Sequence, residues 1–533
     1  MKAVSTKLMM STVLASVFLL AGCGDSFFDR PPQDQIVEGN FYQTEQDLAM
    51  ATGSLYNTVW FDFNDKAKTE IGDARAGNLI TTDGGREQFV IFSTTAANTR
   101  LNELWRSLYL VIAHANTHIH NINVNSSDAI PQAVKNHRVA EARFMRGTAY
   151  SYLAQLWGDV PIITNTTALI ENPNVRRNLR EDVLNFAIND LLYAEEHLIL
   201  DDPAGRVDTW SAKGMLARLY LTRAHFNSQG GSLVQSDLDL AREYAEDVIL
   251  NSGAELMDNF ADLFKRQFNN NSESLFALQW VYGADEWGVQ NTFQAYYAPE
   301  ARLTGVGDGW GGGTSVSAWL YELYGGSDAQ DRRRKATFMT RGDHYPELLQ
   351  NDGGYTYEGT GAPIKKYVIG TPGDNEGRVG FMETDINTYM LRLAEVYLSY
   401  AQAVLGNDNS TNNGQAVGYV NAVRERAGLP AIDSISYMDL FEEKWKELAY
   451  EGQNWFELVR LYNWQPQMAM NLINDQQRNS NLEYSEGEGE YIIEPPSASI
   501  TVNESDFRLS YPEAEVSTNP NLMDSPVPYN FDE

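Results

Sequence analysis

Cysteine is almost absent from this chain of 533 residues, because Cys23 is the only one. A single cysteine excludes an internal disulfide framework and any cysteine-rich zinc site. Basic residues are also few: 40 Lys and Arg face 72 Asp and Glu, which gives a formal net charge of −32. A field of that sign repels phosphates and anionic headgroups, so no nucleic-acid partner is expected.

Long apolar runs are missing too, apart from a short one near the start. Lys2 and Lys7 precede an apolar stretch over residues 8–20 that is too short to span a bilayer stably. It ends in Leu-Ala-Gly-Cys, which resembles the cleavage motif of bacterial lipoproteins. We therefore predict a lipoprotein signal peptide over 1–22 and a lipid on Cys23, followed by a spacer over 23–40. A secretory peptide with an incidental cysteine is the alternative.

Motifs for catalysis and metal binding are scarce. Neither G-x-S-x-G nor H-E-x-x-H is present. Residues 307–312 satisfy G-x-G-x-x-G, but the strand and helix of a dinucleotide-binding unit do not flank them. His114, His118 and His120 lie on one predicted helix, where an i, i+4 pair could share a metal ion. A zinc site also needs a further ligand and usually a nearby acid, and none can be identified, so helix packing is favoured over a metal site. The oxygen-rich run 407–414 lacks the EF-hand order, so we favour a loop between helices and predict no cofactor, with a structural calcium ion as the open alternative.

Helical periodicity dominates what the chain does contain. It predicts helices at about 44–59, 101–123, 132–157, 180–199, 211–228, 236–252, 390–405, 413–427, 437–450 and 454–463. Between about 268 and 385 the composition changes to Gly-, Asn- and Asp-rich loops with short strand-like runs such as 275–280. The sequence thus predicts a mostly α fold, a tetratricopeptide-like scaffold of helical pairs with a loop-rich insertion carrying short strands.

We expect one domain over 41–533. Its helical body covers about 41–267 and 386–474, its insertion about 268–385, and an irregular C-terminal segment 475–533.

Several blocks, in order along the chain, carry a family resemblance. They are CGDSFFDRPP (23–32), NFYQTEQD (40–47), EARFMRG (141–147) with LWGDVP (156–161), RLAEVYL (392–398), VNAVRERAG (420–428) and EGQNWFELVR (451–460). Together they resemble the SusD/RagB family of outer-membrane lipoproteins of Bacteroidetes. One departure is YPEAE at 511–515, which lacks the isoleucine that often precedes this proline. The charges inside the blocks (Glu141, Arg143, Glu451 and Arg460) are predicted to be structural, since they lie on amphipathic helices.

The resemblance implies a non-catalytic glycan-binding lipoprotein on the cell surface, anchored in the outer membrane by its N-terminal lipid alone. Such proteins cap a SusC-like TonB-dependent transporter and deliver captured oligosaccharide to it. A peptide-binding member of the same family is the nearest alternative. A lipoprotein glycoside hydrolase and a purely structural repeat scaffold are more distant ones.

Aromatic residues in loops give the candidate ligand site, because a sugar ring offers an apolar face to a flat aromatic side chain and a hydroxyl rim to polar ones. The aromatic candidates are Trp60, Trp287, Tyr296 with its neighbour Tyr297, and Trp310. The polar candidates are Asp73, Arg75, Asn78 and Arg86. A core position is the alternative for each tryptophan, and Trp105, Trp157, Trp280 and Trp455 are predicted to be buried.

Overall fold

The computed structural model describes residues 41–531. The predicted signal peptide, lipidated cysteine and spacer lie outside the described residues and remain predictions. Within the described part, no helix combines the length and the apolar character that crossing a membrane requires.

Helices make up 52% of the structure and strands 10%, which confirms the mostly α class. The α-helices are α1 (Glu45–Gly53), α2 (Gly84–Val90), α3 (Thr99–Val124), α4 (Gln132–Leu156), α5 (Ala168–Glu171), α6 (Arg180–His197), α7 (Thr209–Phe226), α8 (Gln235–Asn251), α9 (Phe293–Tyr297), α10 (Ala301–Thr304), α11 (Ala318–Tyr324), α12 (Arg333–Thr337), α13 (Leu393–Leu405), α14 (Gly414–Arg426), α15 (Tyr437–Leu448), α16 (Asn454–Trp464), α17 (Pro466–Asp475) and α18 (Glu513–Thr518).

The longer helices pack as a chain of neighbours. Helix α3 packs on α4, α4 on α6, α6 on α7, α7 on α8, and α8 on α13. Their apolar faces form one large core, in which Trp105, Trp157, Trp280 and Trp455 are buried as predicted. This succession of paired helices is the scaffold that the sequence periodicity predicts.

The strands are short and pair two by two, all antiparallel. They are β1 (Leu79–Thr81) with β3 (Thr314–Val316), β2 (Ser274–Leu278) with β8 (Thr388–Arg392), β4 (His344–Tyr345) with β5 (Tyr355–Thr356), β6 (Val379–Gly380) with β7 (Glu383–Thr384), β9 (Ser410–Thr411) with β10 (Ile435–Ser436), and β11 (Asn481–Ser485) with β12 (Glu490–Glu494).

Two segments differ from the predicted helices. The helix predicted from 390 begins only at Leu393, because the preceding residues form β8, whose five residues are all buried. A short segment that is buried at every position has no periodicity that separates strand from helix. The helix predicted over 44–59 ends at Gly53, and 3₁₀ turns and two π-helices (Phe63–Ala67 and Glu70–Ala74) follow it.

A cluster of buried charges joins the insertion to the helical body. Its members, the buried charge cluster of this article, are Glu273, Arg333, Arg392, Arg426, Glu443, Glu447 and Glu451. Arg392 Nη1 lies 2.8 Å from Glu273 Oε1, and its Nη2 lies 2.8 Å from Glu451 Oε1. Arg333 Nη1 lies 2.9 Å from Glu447 Oε2. Burial alone would raise the pKa of Glu447, but Arg426, Arg392 and Arg333 outweigh it and hold that pKa well below its usual range.

The charges of the recognised sequence blocks are structural, as predicted. Glu141 is fully buried and accepts from Arg138 Nη1 and Arg206 Nη1, at 2.7 and 2.8 Å. The Arg143 guanidinium lies 4.2 Å from the centre of the Tyr193 ring.

Candidate functional site

Three large aromatic side chains lie exposed on loops of the insertion. Trp287 is 60% exposed, Trp310 49% and Phe381 54%. Burying such surface is the dominant favourable term in folding, so a group of exposed rings indicates a surface that contacts something else.

Backbone hydrogen bonds hold the Trp310 loop against the helices beside it. The Trp310 N–H donates to the Ala295 carbonyl and the Gly311 N–H to the Ala298 carbonyl, each at 2.8 Å. At Gly311 a β-carbon would lie 2.1 Å from the Tyr297 carbonyl oxygen, so no other residue fits there. Gly309 has a φ of 109° and also approaches the backbone of Glu300 too closely for a side chain. The glycines therefore hold this loop against α9 and α10, and Trp310 is presented on a rigid support.

Phe381 lies at the tip of the hairpin that joins β6 to β7. Its ring centre is 5.7 Å from that of Trp310, with the planes at 78°. Asp308, which is only 2% exposed, connects the two loops, since its Oδ2 accepts from the Met382 N–H at 2.5 Å. The Trp310 loop and the Phe381 hairpin are therefore held together beneath their exposed rings.

Tyr296, half-buried at the end of α9, extends this group of rings. Its ring centre lies 5.8 Å from that of Trp310, and the Lys66 ammonium lies 5.1 Å from the same Tyr296 ring centre. Burial, and next the charge of Asp65, raise the pKa of Tyr296, so its hydroxyl stays protonated at neutral pH. Tyr296 thus brings a neutral hydroxyl to this group of rings, and Lys66 places a cation next to Tyr296.

Trp287 belongs to a second group of rings close by. It packs edge to face on Phe61, with ring centres 5.5 Å apart, and Phe61 lies five residues before Lys66 on the same helical run. The loop that carries Trp287 is also tied to the Phe381 hairpin, because the Gly283 N–H donates to Glu383 Oε1 at 2.7 Å. We call Phe61, Trp287, Tyr296, Trp310 and Phe381 the aromatic platform.

The platform provides flat apolar faces with polar groups at their edges. Stacking on such faces favours ligands that carry a flat apolar side, and the neighbouring Lys66, Asp285 and Glu383 can hydrogen-bond to hydroxyl groups.

The structure brings together three of the predicted site residues: Trp287, Tyr296 and Trp310. It corrects the placement of Trp60, which is fully buried and donates through Nε1 to the Leu55 carbonyl at 3.1 Å. Its neighbour Phe61 reaches the platform instead, because successive residues of a helical run point about 100° apart. Tyr297 is also buried, and its hydroxyl lies 2.5 Å from Thr69 Oγ1.

Asp73 and Asn78 are corrected as well, since both are buried in a structural network. The Asp73 carboxylate accepts from the N–H groups of Tyr450 and Gly452 at 2.7 and 3.0 Å, and from Asn78 Nδ2 at 2.8 Å. Burial raises the pKa of Asp73 to about 6. These side chains fasten the early loops to the turn between α15 and α16 and have no contact with the surface.

The two predicted arginines are likewise core residues. Arg86 Nε lies 3.0 Å from Glu70 Oε1, and the Arg75 guanidinium lies 4.9 Å from both the Phe92 and the Trp455 ring centres. Burial lowers the pKa of Arg75 to about 10. A polar residue in a predicted loop gives no local sign of burial, and its partners lie beyond a local sequence window: Glu70 is 16 residues from Arg86, and Trp455 lies on α16, far along the chain from Arg75.

Sequence reasoning missed the platform residues Phe61 and Phe381, and Lys66 beside the platform. For Phe381 a signal was available: a single phenylalanine follows Gly380 in a short turn between two-residue strands. For Phe61 and Lys66 the only signal was the helical register relative to Trp60.

The side-chain atoms that could ligate a metal ion in these clusters already have protein hydrogen-bond partners. His137, Glu141 and Asp202 lie close together, but Arg138 Nη1 lies between the carboxylates, 2.7 Å from each. Both ring nitrogens of His118 are within hydrogen-bonding distance of hydroxyls, those of Tyr42 and Ser54. In the 407–414 run, Asn407 Oδ1 accepts from Leu233 N–H, and Asn413 caps α14, as the prediction of a helix-connecting loop requires. The calcium alternative stays a prediction.

Two family models match the chain. One, described as the SusD family, matches residues 272–527, and another, described as starch-binding and associating with the outer membrane, matches residues 27–221. A SusD-like protein of Bacteroides ovatus is 39% identical over 98% of both chains. The starch-binding protein SusD of Bacteroides thetaiotaomicron is 22% identical over 64% of this chain and 67% of its own.

Solved structures agree with this relationship. A crystal structure with a xylogluco-oligosaccharide has a TM-score of 0.84 and 38% identity, and it covers 91% of this chain and 100% of its own. The residue blocks, the fold and these relatives all point the same way, and the chain belongs to the SusD/RagB family.

Proposed function

We propose that this protein captures a neutral oligosaccharide on the aromatic platform and performs no chemistry on it. The observation that carries the proposal is the set of exposed rings on loops that the backbone holds rigid. A rigid apolar surface loses little conformational entropy when a ligand stacks on it, so more of the stacking energy appears as affinity.

The ligand class follows from the charge and from the relatives. A net charge of −32, with Asp285 and Glu286 exposed beside Trp287, disfavours uronate and sulfated glycans. The relative solved with a xylogluco-oligosaccharide is similar over nearly the whole chain, which supports a neutral glucan as the first ligand to test.

Replacing Trp310 by alanine tests the site. Loss of one stacking face weakens binding of a xylogluco-oligosaccharide by about 1–3 kcal/mol. We expect the melting temperature to change little, because the ring is half exposed. Phe531→Ala, which removes an exposed ring outside the platform, is the matched control and leaves affinity unchanged. Calorimetric titration measures both variants, and wild-type affinity in Trp310→Ala would remove this residue from the site.

The absence of catalysis has its own test. Purified protein incubated with xyloglucan should release no new reducing ends over hours. Their appearance would revive the hydrolase alternative, whereas saturable binding of peptides in place of glycans would favour the peptide-binding one.

Delivery and anchoring complete the proposal. A lipid on Cys23 would hold the protein at the outer-membrane surface, beside a SusC-like TonB-dependent transporter that receives the glycan. Cys23→Ser should release a folded protein into the soluble fraction in a strain that lacks the transporter, and continued membrane fractionation there would contradict the anchor. Affinity purification from detergent-solubilised outer membranes should recover a TonB-dependent barrel with the wild-type protein, and recovery of none would contradict delivery.

A further inference from the structure

A polar groove of about 780 Å³ opens beside the loop that carries Trp310. Its floor includes residues of β1 and β3, and Gly312 and Gly313 form part of its wall. The start of β11 and the segment 496–501 complete the lining. Its volume lies within the range of about 300–1,000 Å³ that is usual for small-molecule sites.

The lining of the groove differs in kind from the platform. It carries many hydroxyl and amide side chains, including Thr82, Ser315, Thr360, Asn481 and Ser499, and the described lining contains no Lys, Arg or aromatic residue. Such side chains both donate and accept hydrogen bonds, which suits the hydroxyl rim of a sugar. The charged lining residues are Glu87 and Glu483, so an anionic ligand would be repelled.

The segment 496–501 leaves its backbone open to a ligand. It begins at Pro496, directly after Pro495 at the end of the β11–β12 hairpin, and within the described chain no backbone–backbone hydrogen bond involves these six residues. Backbone N–H and carbonyl groups are strong hydrogen-bonding groups that require partners when they are covered. A ligand in the groove would supply them.

The groove and the platform meet at the glycine turn. Gly312 and Gly313 are two and three residues from Trp310, so the two surfaces are separated by at most about 10 Å of chain. That separation is comparable to the length of a disaccharide.

We infer that the polar groove is a second part of the ligand site, which holds the continuation of a neutral glycan whose first units stack on the platform. This inference rests on the proposed function and adds to it the length and charge of the ligand. Short oligosaccharides occupy the platform alone, whereas longer neutral ones also hydrogen-bond along the groove and bind more tightly.

The test compares ligands of two lengths. Xylogluco-oligosaccharides of one and of two repeating blocks are titrated calorimetrically into the full mature chain and into the double variant Asn481→Ala/Ser499→Ala. Both side chains are exposed, so the variant should fold normally. Ser485→Ala, in the same strand as Asn481 but outside the groove, is the matched control.

We expect the wild-type protein to bind the longer ligand more tightly, and the double variant to lose about fivefold or more in affinity for it. Affinity for the shorter ligand should be unchanged. An oligogalacturonide series should show no gain with length, because of the two glutamates. Equal wild-type affinity for both lengths, or an equal loss for both in the double variant, would overturn the groove while leaving glycan capture in place. If the wild-type protein binds neither, the proposed function fails and the groove fails with it.

Discussion

The buried charge cluster and the aromatic platform place side chains in opposite ways. Arg392 and Glu447 are charged, yet they are 1% and 0% exposed. Trp287 and Trp310 carry the largest apolar side chain of any residue type, yet they are 60% and 49% exposed. Each region departs from the usual rule that charges face water and large apolar groups do not.

The two departures have different causes. A buried ion pair adds little net stability, because desolvation of the charges offsets their attraction, but it makes the fold intolerant of losing one partner. An exposed indole buries little apolar surface when the chain folds, so its removal costs little free energy of unfolding. The comparison teaches that stability and binding are carried by separate sets of residues, and the following predictions aim to break or sharpen that separation.

The largest effect is expected from Glu447→Gln. The substitution leaves three buried guanidiniums, those of Arg333, Arg392 and Arg426, without their shared carboxylate. We expect the free energy of unfolding to fall by about 3–5 kcal/mol, measured by denaturant titration. Asp352→Asn, which breaks an exposed ion pair with Arg302, is the control and should change it by less than about 1 kcal/mol. If both variants changed the free energy of unfolding by less than about 1 kcal/mol, the buried charge cluster would not be needed for stability.

Acid should lower the stability of the fold, because protonation removes the buried carboxylates from their ion pairs, whereas the rings of the platform carry no charge. Burial opposes ionisation of Glu457, but Arg460 and Lys444 lower its pKa to about 2, and the pKa of Glu447 is also held below its usual range. These carboxylates stabilise the fold above their unfolded pKa of about 4.5, and that stability is lost as pH falls through the folded values. The melting temperature should therefore drop steeply between about pH 4 and pH 2.5.

The titration of Asp73 falls in a different pH range from that of Glu447 and Glu457. Its raised pKa of about 6 acts with the opposite sign, but only between about pH 4 and pH 6, where its folded and unfolded forms differ in protonation. A melting temperature that stays level below pH 4 would show that the buried carboxylates are not held ionised.

The smallest effect is expected from Phe381→Ala. Its ring meets Trp310 edge to face, so its removal takes away one neighbour of the stacking surface and leaves the surface itself. We expect oligosaccharide affinity to fall by about 0.5–1.5 kcal/mol in calorimetry, with an unchanged melting temperature. A loss as large as that of Trp310→Ala would give Phe381 an equal part in the site.

Much of the fold could be predicted because helical periodicity is a local property. Helix α4, predicted over 132–157, runs from Gln132 to Leu156. Strand β8 was missed because its residues are buried on all sides and carry no period. The π-helices after Phe61 were missed as well, since nothing in their sequence separates them from an ordinary helix.

The site could be predicted only in part, for the same physical reason. Trp287 and Trp310 stand in stretches rich in glycine and acids, where local neighbours cannot bury them. Trp60 was misplaced by one position of a helical run, which turns a side chain from the surface into the core. Asp73 was misplaced because its partner Tyr450 is 377 residues away, a pairing that no local pattern contains.

The most direct test of the separation between stability and binding is a paired measurement on Trp287→Ala/Trp310→Ala. The double variant and the wild-type protein are unfolded in denaturant and titrated calorimetrically with a xylogluco-oligosaccharide under one set of conditions. We predict that the double variant loses detectable binding while its free energy of unfolding stays within about 1 kcal/mol of wild type. Retained binding, or a loss of stability comparable to that of Glu447→Gln, would contradict the account.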